Sequence, residues 1–152
     1  MTHTQPARAK INLTLHVGRK IAEQSDPFYG FHPLDSLVVF SDFGDVLSCE
    51  IADETTLTLS GPFAEDIDDG ESNLVLKAYA MTARAGTCPP LAFHLVKNLP
   101  VAAGIGGGSA NAAAALRLLK HYIDLPEKTW RDIALKIGSD VPVCLASQTA
   151  RM

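Results

Sequence analysis

The feature that most constrains this chain is the stretch PVAAGIGGGSANAAAAL, which runs from Pro100 to Leu116. Four of the five residues at positions 104–108 are glycine, and the residues that follow are mostly alanine and leucine. Glycine lets a backbone approach a ligand closely, whereas an alanine-rich segment favours a helix. The preceding apolar segment LAFHLVKN, Leu91 to Asn98, is typical of a strand. The order of strand, glycine loop and helix start predicts a phosphate-binding turn.

Two properties of such a turn explain why an anion fits it. Consecutive backbone N–H groups of a glycine run can point inward and form a concave nest. The first turn of a helix adds unpaired N–H donors and the positive end of the helix dipole. Ser109 stands where it could cap the helix, or contact a phosphate or the metal ion bound to it. A flexible linker is disfavoured because apolar elements flank the run.

The two commonest phosphate loops do not match. A Walker A loop needs a lysine directly after its glycines, and here the first lysine is Lys120. A dinucleotide-binding loop needs GxGxxG, and the run from Gly104 has Ser109 in place of the third glycine.

Composition narrows the class of protein. The 152 residues suit one domain with a real core, and 47% hydrophobic with 20% charged residues predicts a globular chain. A net charge of -4 argues against nucleic-acid binding, and we expect no membrane segment and no signal peptide. Three widely spaced cysteines without a CxxC pair favour a reducing, cytoplasmic compartment.

Hydrophobic patterning predicts an α+β fold rather than a regular βαβ series. In Lys10 to Val17 the apolar residues alternate with polar ones, which predicts a strand with Ile11, Leu13, Leu15 and Val17 buried and with Lys10 and Asn12 on the other face. Further strands are predicted at 34–40, on both sides of a polar turn at 52–55, and at VPVCLA, 141–146.

Three helices are predicted. The first starts at Ser72 as N-cap and ends at Gly86, with Leu74, Ala78, Met81 and Ala85 on one face. The second spans about 110–123, and the third runs from Pro126 to Gly138 and buries Trp130, Ile133, Ala134 and Ile137. The acidic segment PFAEDIDDGES lacks EF-hand spacing, so a solvated loop is expected.

The glycine stretch resembles the P-x-x-x-G-x-G-x-[GS]-S-x-[AN]-A phosphate loop of the GHMP kinases. Four blocks in order, ARAKINLTLHVGR, GFHPLDSLVVF, KNLPVAAGIGGGSANAAAAL and GSDVPVCL, are more similar to the branch that phosphorylates 4-diphosphocytidyl-2-C-methyl-D-erythritol, in the non-mevalonate route to isoprenoids. The resemblance implies an N-terminal, ATP-binding GHMP kinase domain over residues 1–152. It also implies a ribosomal protein S5 domain 2-like fold, a mixed or antiparallel sheet with helices on one side. The C-terminal domain of the family is expected to be absent from this chain.

The resemblance also implies an enzyme, a small-molecule kinase that moves the γ-phosphoryl of ATP to the 2-hydroxyl of its substrate. Lys10 in AKIN and Asp140 in SDVP match the family's catalytic pair. Asp140 would be the general base, and Lys10 would hold it ionised and orient the hydroxyl. Without the motif, a solvent-facing strand lysine and a turn or cap aspartate would be the ordinary interpretations.

Other site residues follow from the same resemblance. The substrate-binding positions are Asn12, near the polyol, His32, which reads the cytosine, and Phe31, which stacks on it. The ATP-binding positions are Pro100, Val101, Ala102, Ala103, Gly104, Ile105, Gly106, Gly107, Gly108, Ser109, Ala110, Asn73 and Lys97. A helix-start asparagine and an exposed lysine are the alternatives for the last two. Magnesium is expected with ATP, and Ser109 is the one candidate ligand.

The segment before His32 departs from the family pattern R-x-D-G-[YF]-H, because the lead from Arg19 is longer and Tyr29 replaces the expected aspartate. Two other functions stay open. One is another GHMP small-molecule kinase of the homoserine or mevalonate type, against which GFH and SDVP argue. The other is a nucleotide-binding fragment without catalysis, since we expect this chain alone to bind ATP weakly and turn over poorly.

Overall fold

One sheet carries the architecture. The computed structural model of the chain describes residues 1–27, 29–30 and 32–152. The strands are β1 (His3–Asn12), β2 (His16–Val17), β3 (Leu34–Asp35), β4 (Leu37–Ile51), β5 (Thr56–Ser60), β6 (Leu91–Val96) and β7 (Ala150–Arg151). The helices are α1 (Leu74–Ala85), α2 (Gly107–Leu119), α3 (Glu127–Ile137) and α4 (Val141–Ala146), with a 3-10 turn at Ala64–Asp66.

The main sheet has the order β1-β4-β6-β5, and β7 pairs with the start of β4. All pairings are antiparallel except that of β5 with β6, so the sheet is mixed. Strands β2 and β3 form a separate two-stranded ribbon. The expected α+β fold with a mixed sheet is confirmed.

The helices cover one face of this sheet. Alternate residues of β4 and β6, such as Leu47, Leu91 and Phe93, are buried with α2, which packs on β1 and β4. Residues between them, such as Ser48 and His94, face the other way and are more exposed. Period-two burial and the alanine run of α2 together let this helix lie close on the sheet.

The third helix agrees with its sequence signals. Pro126 precedes the first turn of α3, Gly138 follows its last turn, and Trp130, Ile133, Ala134 and Ile137 are its buried residues. Among the helices of the described residues, none is long and apolar enough to cross a membrane.

The predicted burial of the strand at 10–17 is wrong. Lys10 is 4% exposed, whereas Leu13, Leu15 and Val17 are 57%, 54% and 60% exposed. The alternation identifies two faces of a strand but not which face another layer covers. Here β1 ends at Asn12, and the residues after it leave the main sheet for the peripheral ribbon.

Of two further strand predictions, one is confirmed, with an unexpected pairing, and the other is wrong. The strands on both sides of 52–55 exist, but they are not neighbours, because β6 lies between β4 and β5. The four-residue connection at 52–55 can span about 13 Å. This exceeds the distance of about 9.6 Å between two strands that lie on either side of a third. VPVCLA is helix α4 rather than a strand, with Val141 and Cys144 buried at a spacing of three. A short apolar run does not distinguish the two structures.

The helix boundaries also move. Asn73, not Ser72, caps α1, and the buried face of α1 is Val75, Ala78 and Thr82, while Ala85 is exposed. Helix α2 begins three residues earlier than predicted, at Gly107, and ends at Leu119. Its early start follows from the left-handed conformation of Gly106, which turns the chain directly into the helix.

Candidate active site

A cavity of about 480 Å³ opens beside the loop between β6 and α2. The loop forms one wall, and the segment around the start of α1 forms the other. Its lining residues are Asp66, Ile67, Asp68, Ser72, Asn73, Leu74, Lys97, Pro100, Val101, Ala102, Ala103, Gly104, Ile105, Gly106, Gly107, Gly108, Ser109 and Asn111. Apart from Ala110, every residue predicted to bind ATP therefore lies around one cavity.

The glycine loop ends in an open helix N-terminus. Gly106 has φ +68° and stands at the N-cap without a side chain to cap the helix. The amide of Ala110 donates to the carbonyl of Gly106 at 2.8 Å, so the three amides before it have no partner within the helix. These N–H groups and the helix dipole provide a ready anion site.

Two residues of the stretch differ from expectation in detail. Ser109 does not cap α2, because it is the third residue of the helix and Gly106 holds the cap position. Ala110 is buried and its amide is already bonded within the helix, so it supplies no donor to the cavity. Ser109 still lines the cavity.

Lys10 and Asp140 meet next to this loop. Lys10 Nζ lies 2.8 Å from Asp140 Oδ2, and the two side chains are 5% and 32% exposed. The amide of Lys10 donates to the carbonyl of Ile105 at 2.9 Å, which ties β1 to the glycine loop. Asp140 occupies the cap position of α4 but makes no capping bond. Lys10 is thus no surface lysine, and Asp140 serves the pair rather than the helix end.

The register of the sheet brings Lys10 to this place. The pairing of β1 with β4 shifts between Arg8 and Lys10. Their partners on β4, Gly44 and Phe40, are four residues apart, although Arg8 and Lys10 are only two apart. Such a bulge bends a strand and re-aims its side chains. Regular pairing resumes from Lys10 to Asn12, so these two residues share a face.

A second, fully buried ion pair lies under the loop, and the sequence reading missed its acid. Lys97 Nζ is 2.5 Å from Asp45 Oδ2, with side chains 3% and 0% exposed. Asp45 Oδ1 accepts bonds from the amides of Asn98 and Leu99 at 2.7 and 2.8 Å. The alternative of an exposed lysine is wrong for Lys97. A lone aspartate at the expected start of a strand gave no signal for this role.

Asn73 combines a structural bond with a place in the cavity wall. Its Oδ1 accepts from the amide of Val75 at 3.0 Å and its Nδ2 donates to the carbonyl of Asp68 at 2.8 Å. The hydrogen bonds of Asn73 therefore agree with the alternative interpretation, in which it is the asparagine that caps the start of a helix. Asp68 also accepts bonds from the Ser72 hydroxyl and the Gly70 amide, which together hold the pKa of its carboxyl below the usual value.

The predicted substrate readers lie away from the cavity wall. Asn12 Nδ2 donates to the Ser36 hydroxyl at 2.6 Å, and His32 Nδ1 is bonded to the carbonyl of Gly18 at 2.9 Å. His32 is exposed on the ribbon side of the molecule. Phe31 lies outside the described residues.

Cys144 follows Asp140 by one turn of α4. Burial is the main cause that raises the pKa of its thiol to about 11, and the Asp140 carboxylate adds to the effect. The thiol is thus held in its neutral form beside the pair. In the part of the chain that the structure describes, no group of three or more His, Cys, Asp or Glu residues could hold a metal ion.

Comparisons with known proteins identify the family of this chain. A family model described as the GHMP kinases N terminal domain matches residues 73–148. A protein of Paramagnetospirillum magneticum (strain ATCC 700264 / AMB-1) named 4-diphosphocytidyl-2-C-methyl-D-erythritol kinase is 51% identical over 149 residues, covering 96% of this chain and 50% of that protein. A protein of the same name from Roseobacter denitrificans (strain ATCC 33942 / OCh 114) is 51% identical over 150 residues, covering 96% and 47%. The chain thus spans about half the length of the curated relatives it matches.

Solved structures share the fold. A crystal structure of 4-(cytidine 5'-diphospho)-2C-methyl-D-erythritol kinase matches with TM-score 0.72 and 29% identity, covering 99% of this chain and 52% of the other. Galactokinase of Lactococcus lactis, at 13% identity and TM-score 0.60, covers 99% and 47% and shows the fold alone. The expectation drawn from the four sequence blocks is confirmed: this chain belongs to the GHMP kinase family.

Proposed function

We propose that this chain carries the nucleotide site and the catalytic pair of an ATP-dependent small-molecule kinase. Its acceptor is the 2-hydroxyl of 4-diphosphocytidyl-2-C-methyl-D-erythritol. The observation that carries the proposal is the Lys10–Asp140 ion pair at 2.8 Å beside a glycine loop that opens into a cavity. The names of the relatives support the choice of acceptor.

The triphosphate of ATP takes the loop and the start of α2. Amides of Gly107, Gly108 and Ser109 donate to phosphate oxygens, and the helix dipole favours their negative charge. Phosphoryl transfer depends mainly on positioning the reactants and on stabilising the negative charge of the phosphate oxygens. A rigid turn of backbone donors supplies both.

Asp140 accepts the proton of the attacking hydroxyl. Its carboxylate is one-third exposed and bonded to Lys10 through Oδ2, so a hydroxyl can approach from the solvent side. The Lys10 ammonium fixes the orientation of the carboxylate, and the backbone amide of Lys10 is bonded to Ile105 of the loop. The base and the phosphate cradle are thereby held at a constant separation.

Magnesium fits this site only in part. The Ser109 hydroxyl is an oxygen donor at the start of α2, and the ATP phosphates would provide most remaining ligands, as is usual for this ion. When bound, magnesium would neutralise charge on the phosphates. Ser109 is thus the proposed protein ligand of the ion.

The substrate head group is assigned to the ribbon side. Asn12 shares the face of Lys10 and is proposed to contact the polyol, while His32 and Phe31 are proposed to recognise the cytosine.

The three cysteines are free, which supports a reducing, cytoplasmic setting.

The experiment is a transfer assay on this chain. We expect transfer from ATP to the CDP-linked methylerythritol in preference to homoserine and mevalonate, at a low rate. Asp140→Asn and Lys10→Met should each reduce that rate by about 10²–10⁴-fold, the usual contribution of a positioned base. Glu127→Gln is the matched control. It removes an exposed ion pair between Lys120, after α2, and Glu127, at the start of α3, and should change the rate less than twofold.

Each outcome separates the candidates. A preference for homoserine or mevalonate would favour another kinase of the same family. ATP binding without transfer to any of the three acceptors would support a nucleotide-binding fragment. Full activity in Asp140→Asn would contradict the assignment of the base.

A further inference from the structure

Asn111 is an unusual residue in the buried face of α2. It is 4% exposed and stands among Ala110 and Ala112–Ala115, which are all buried. Its Oδ1 has no hydrogen-bond partner among the residues that the structure describes. The side chain nevertheless lines the cavity beside the glycine loop.

An unpartnered buried amide oxygen costs free energy, because it has lost water and gained nothing in return. An alanine at this position would continue the run on both sides and carry no such cost. It would also be the better helix former. The folded chain alone therefore gives no reason for asparagine here, which points to a partner supplied from the cavity.

The helix geometry shows which part of a nucleotide that partner belongs to. Asn111 lies one turn after Gly107 and Gly108 on α2. A Cβ on Gly107 would be 3.3 Å from Lys97 Nζ, and a Cβ on Gly108 would be 3.4 Å from Leu74 Cδ1. Asn111 thus lies one turn further along α2 than Gly107 and Gly108, the two residues that approach Lys97 and Leu74.

Phosphate oxygens accept hydrogen bonds at neutral pH, so they do not satisfy a carbonyl oxygen. Oδ1 is enclosed by protein. We propose that Asn111 reads the nucleoside: when a nucleotide fills the cavity, the side-chain amide turns so that Oδ1 faces the cavity and accepts a hydrogen bond from the amino group of the base or from a ribose hydroxyl. This inference rests on the proposed nucleotide site and adds to it a residue that determines which nucleotide is held.

The test compares four nucleotides on the wild-type chain and on Asn111→Ala. ATP, ITP, 2′-deoxyATP and 3′-deoxyATP are titrated by calorimetry, so that the amino group and each hydroxyl are removed in turn. In the wild type, one analogue should bind about 3- to 10-fold more weakly than ATP, the usual loss for one hydrogen bond. Asn111→Ala should bind ATP more weakly than the wild type does, by the same factor. In this variant, ATP and that analogue should differ in affinity by less than twofold.

Stability provides the second readout. Asn111→Ala should unfold at the same temperature as the wild type or higher, because the empty chain loses an unpaired polar atom. Thr82→Ala is the matched control: Thr82 is also buried in a helix, but its hydroxyl already donates to Ala78 at 2.9 Å. That variant should leave nucleotide discrimination unchanged.

Three results would overturn the inference. Equal discrimination in the wild type and in Asn111→Ala would show that Asn111 does not contact the nucleoside. Equal binding of all four nucleotides to the wild type would do the same. Failure of the wild type to bind ATP at all would contradict the proposed nucleotide site as well, which distinguishes the two failures.

Discussion

At the scale of single residues, the site depends on charges that the fold has taken out of water. The Lys10 ammonium is almost completely buried, and such a cation is tolerated when a carboxylate compensates it. Asp140 provides that charge while staying one-third exposed. A pair buried on the cation side and open on the acid side leaves the acid free to meet a substrate hydroxyl.

The neighbouring thiol yields a pH prediction. The pKa of Cys144 rises from an ordinary 9.0 to about 11 in the folded chain, through burial and then the Asp140 charge. The unfolded chain therefore releases this proton at lower pH than the folded chain does. The contribution to stability is complete below about pH 9 and is lost as the pH rises towards 11, by about 3 kcal/mol in all.

The measurement is urea unfolding at several pH values between 8 and 11. Wild-type stability should fall across this range, and Cys144→Ala should fall less steeply. The comparison variant is Cys88→Ala. It removes a half-buried thiol whose pKa is also raised by burial. An equal slope in the wild type and in Cys144→Ala would show that Cys144 titrates normally.

At the scale of elements, the junction between the glycine loop and α2 carries the geometry. Asp45 fixes the start of the loop through the amides of Asn98 and Leu99 and pairs with Lys97 beneath it. Gly106 fixes the end of the loop, with φ +68° and a backbone close to Lys10. The loop is thus held at both ends by buried contacts.

Two glycines of the same loop allow the stability cost of a left-handed backbone to be measured separately from the cost of a steric contact. Gly104 and Gly106 have φ +73° and +68°, but a Cβ on Gly104 would meet nothing within 4 Å, while one on Gly106 would be 3.2 Å from Lys10 Cβ. Each alanine substitution should cost about 1–2 kcal/mol of stability for the left-handed conformation. Gly106→Ala should cost more and should also weaken ATP binding.

Chemical unfolding and ATP titration of both variants check this prediction, with Gly104→Ala as the control. Equal losses of stability and equal affinities would show that the contact between Gly106 and Lys10 has no influence on the site.

At the scale of the whole molecule, one helix-covered sheet face brings residues that are distant in sequence to the glycine loop. Lys10 comes from β1, Lys97 from the end of β6, and Asp140 from the start of α4. The residues from Leu13 to Val17 lie outside that covered region and stay exposed.

The sequence predicted the elements better than their arrangement. The glycine loop and α3 were predicted from glycine, cap and apolar spacing signals, which are local. The Lys10–Asp140 pair was predicted only from the resemblance to the family. The position of β6 between β4 and β5, the bulge before Lys10 and the buried Asp45 depend on contacts between distant segments. VPVCLA failed for another reason, since six apolar residues fit a strand and a helix turn equally well.

The most direct test of the central claim is an NMR titration of the ¹⁵N-labelled chain with ATP. The account predicts that the largest amide shifts occur at Gly106, Gly107, Gly108 and Ser109, with smaller shifts at Lys10 and Asp140. Unchanged amides at 104–109 under saturating ATP, or shifts confined to the β2–β3 ribbon, would contradict it.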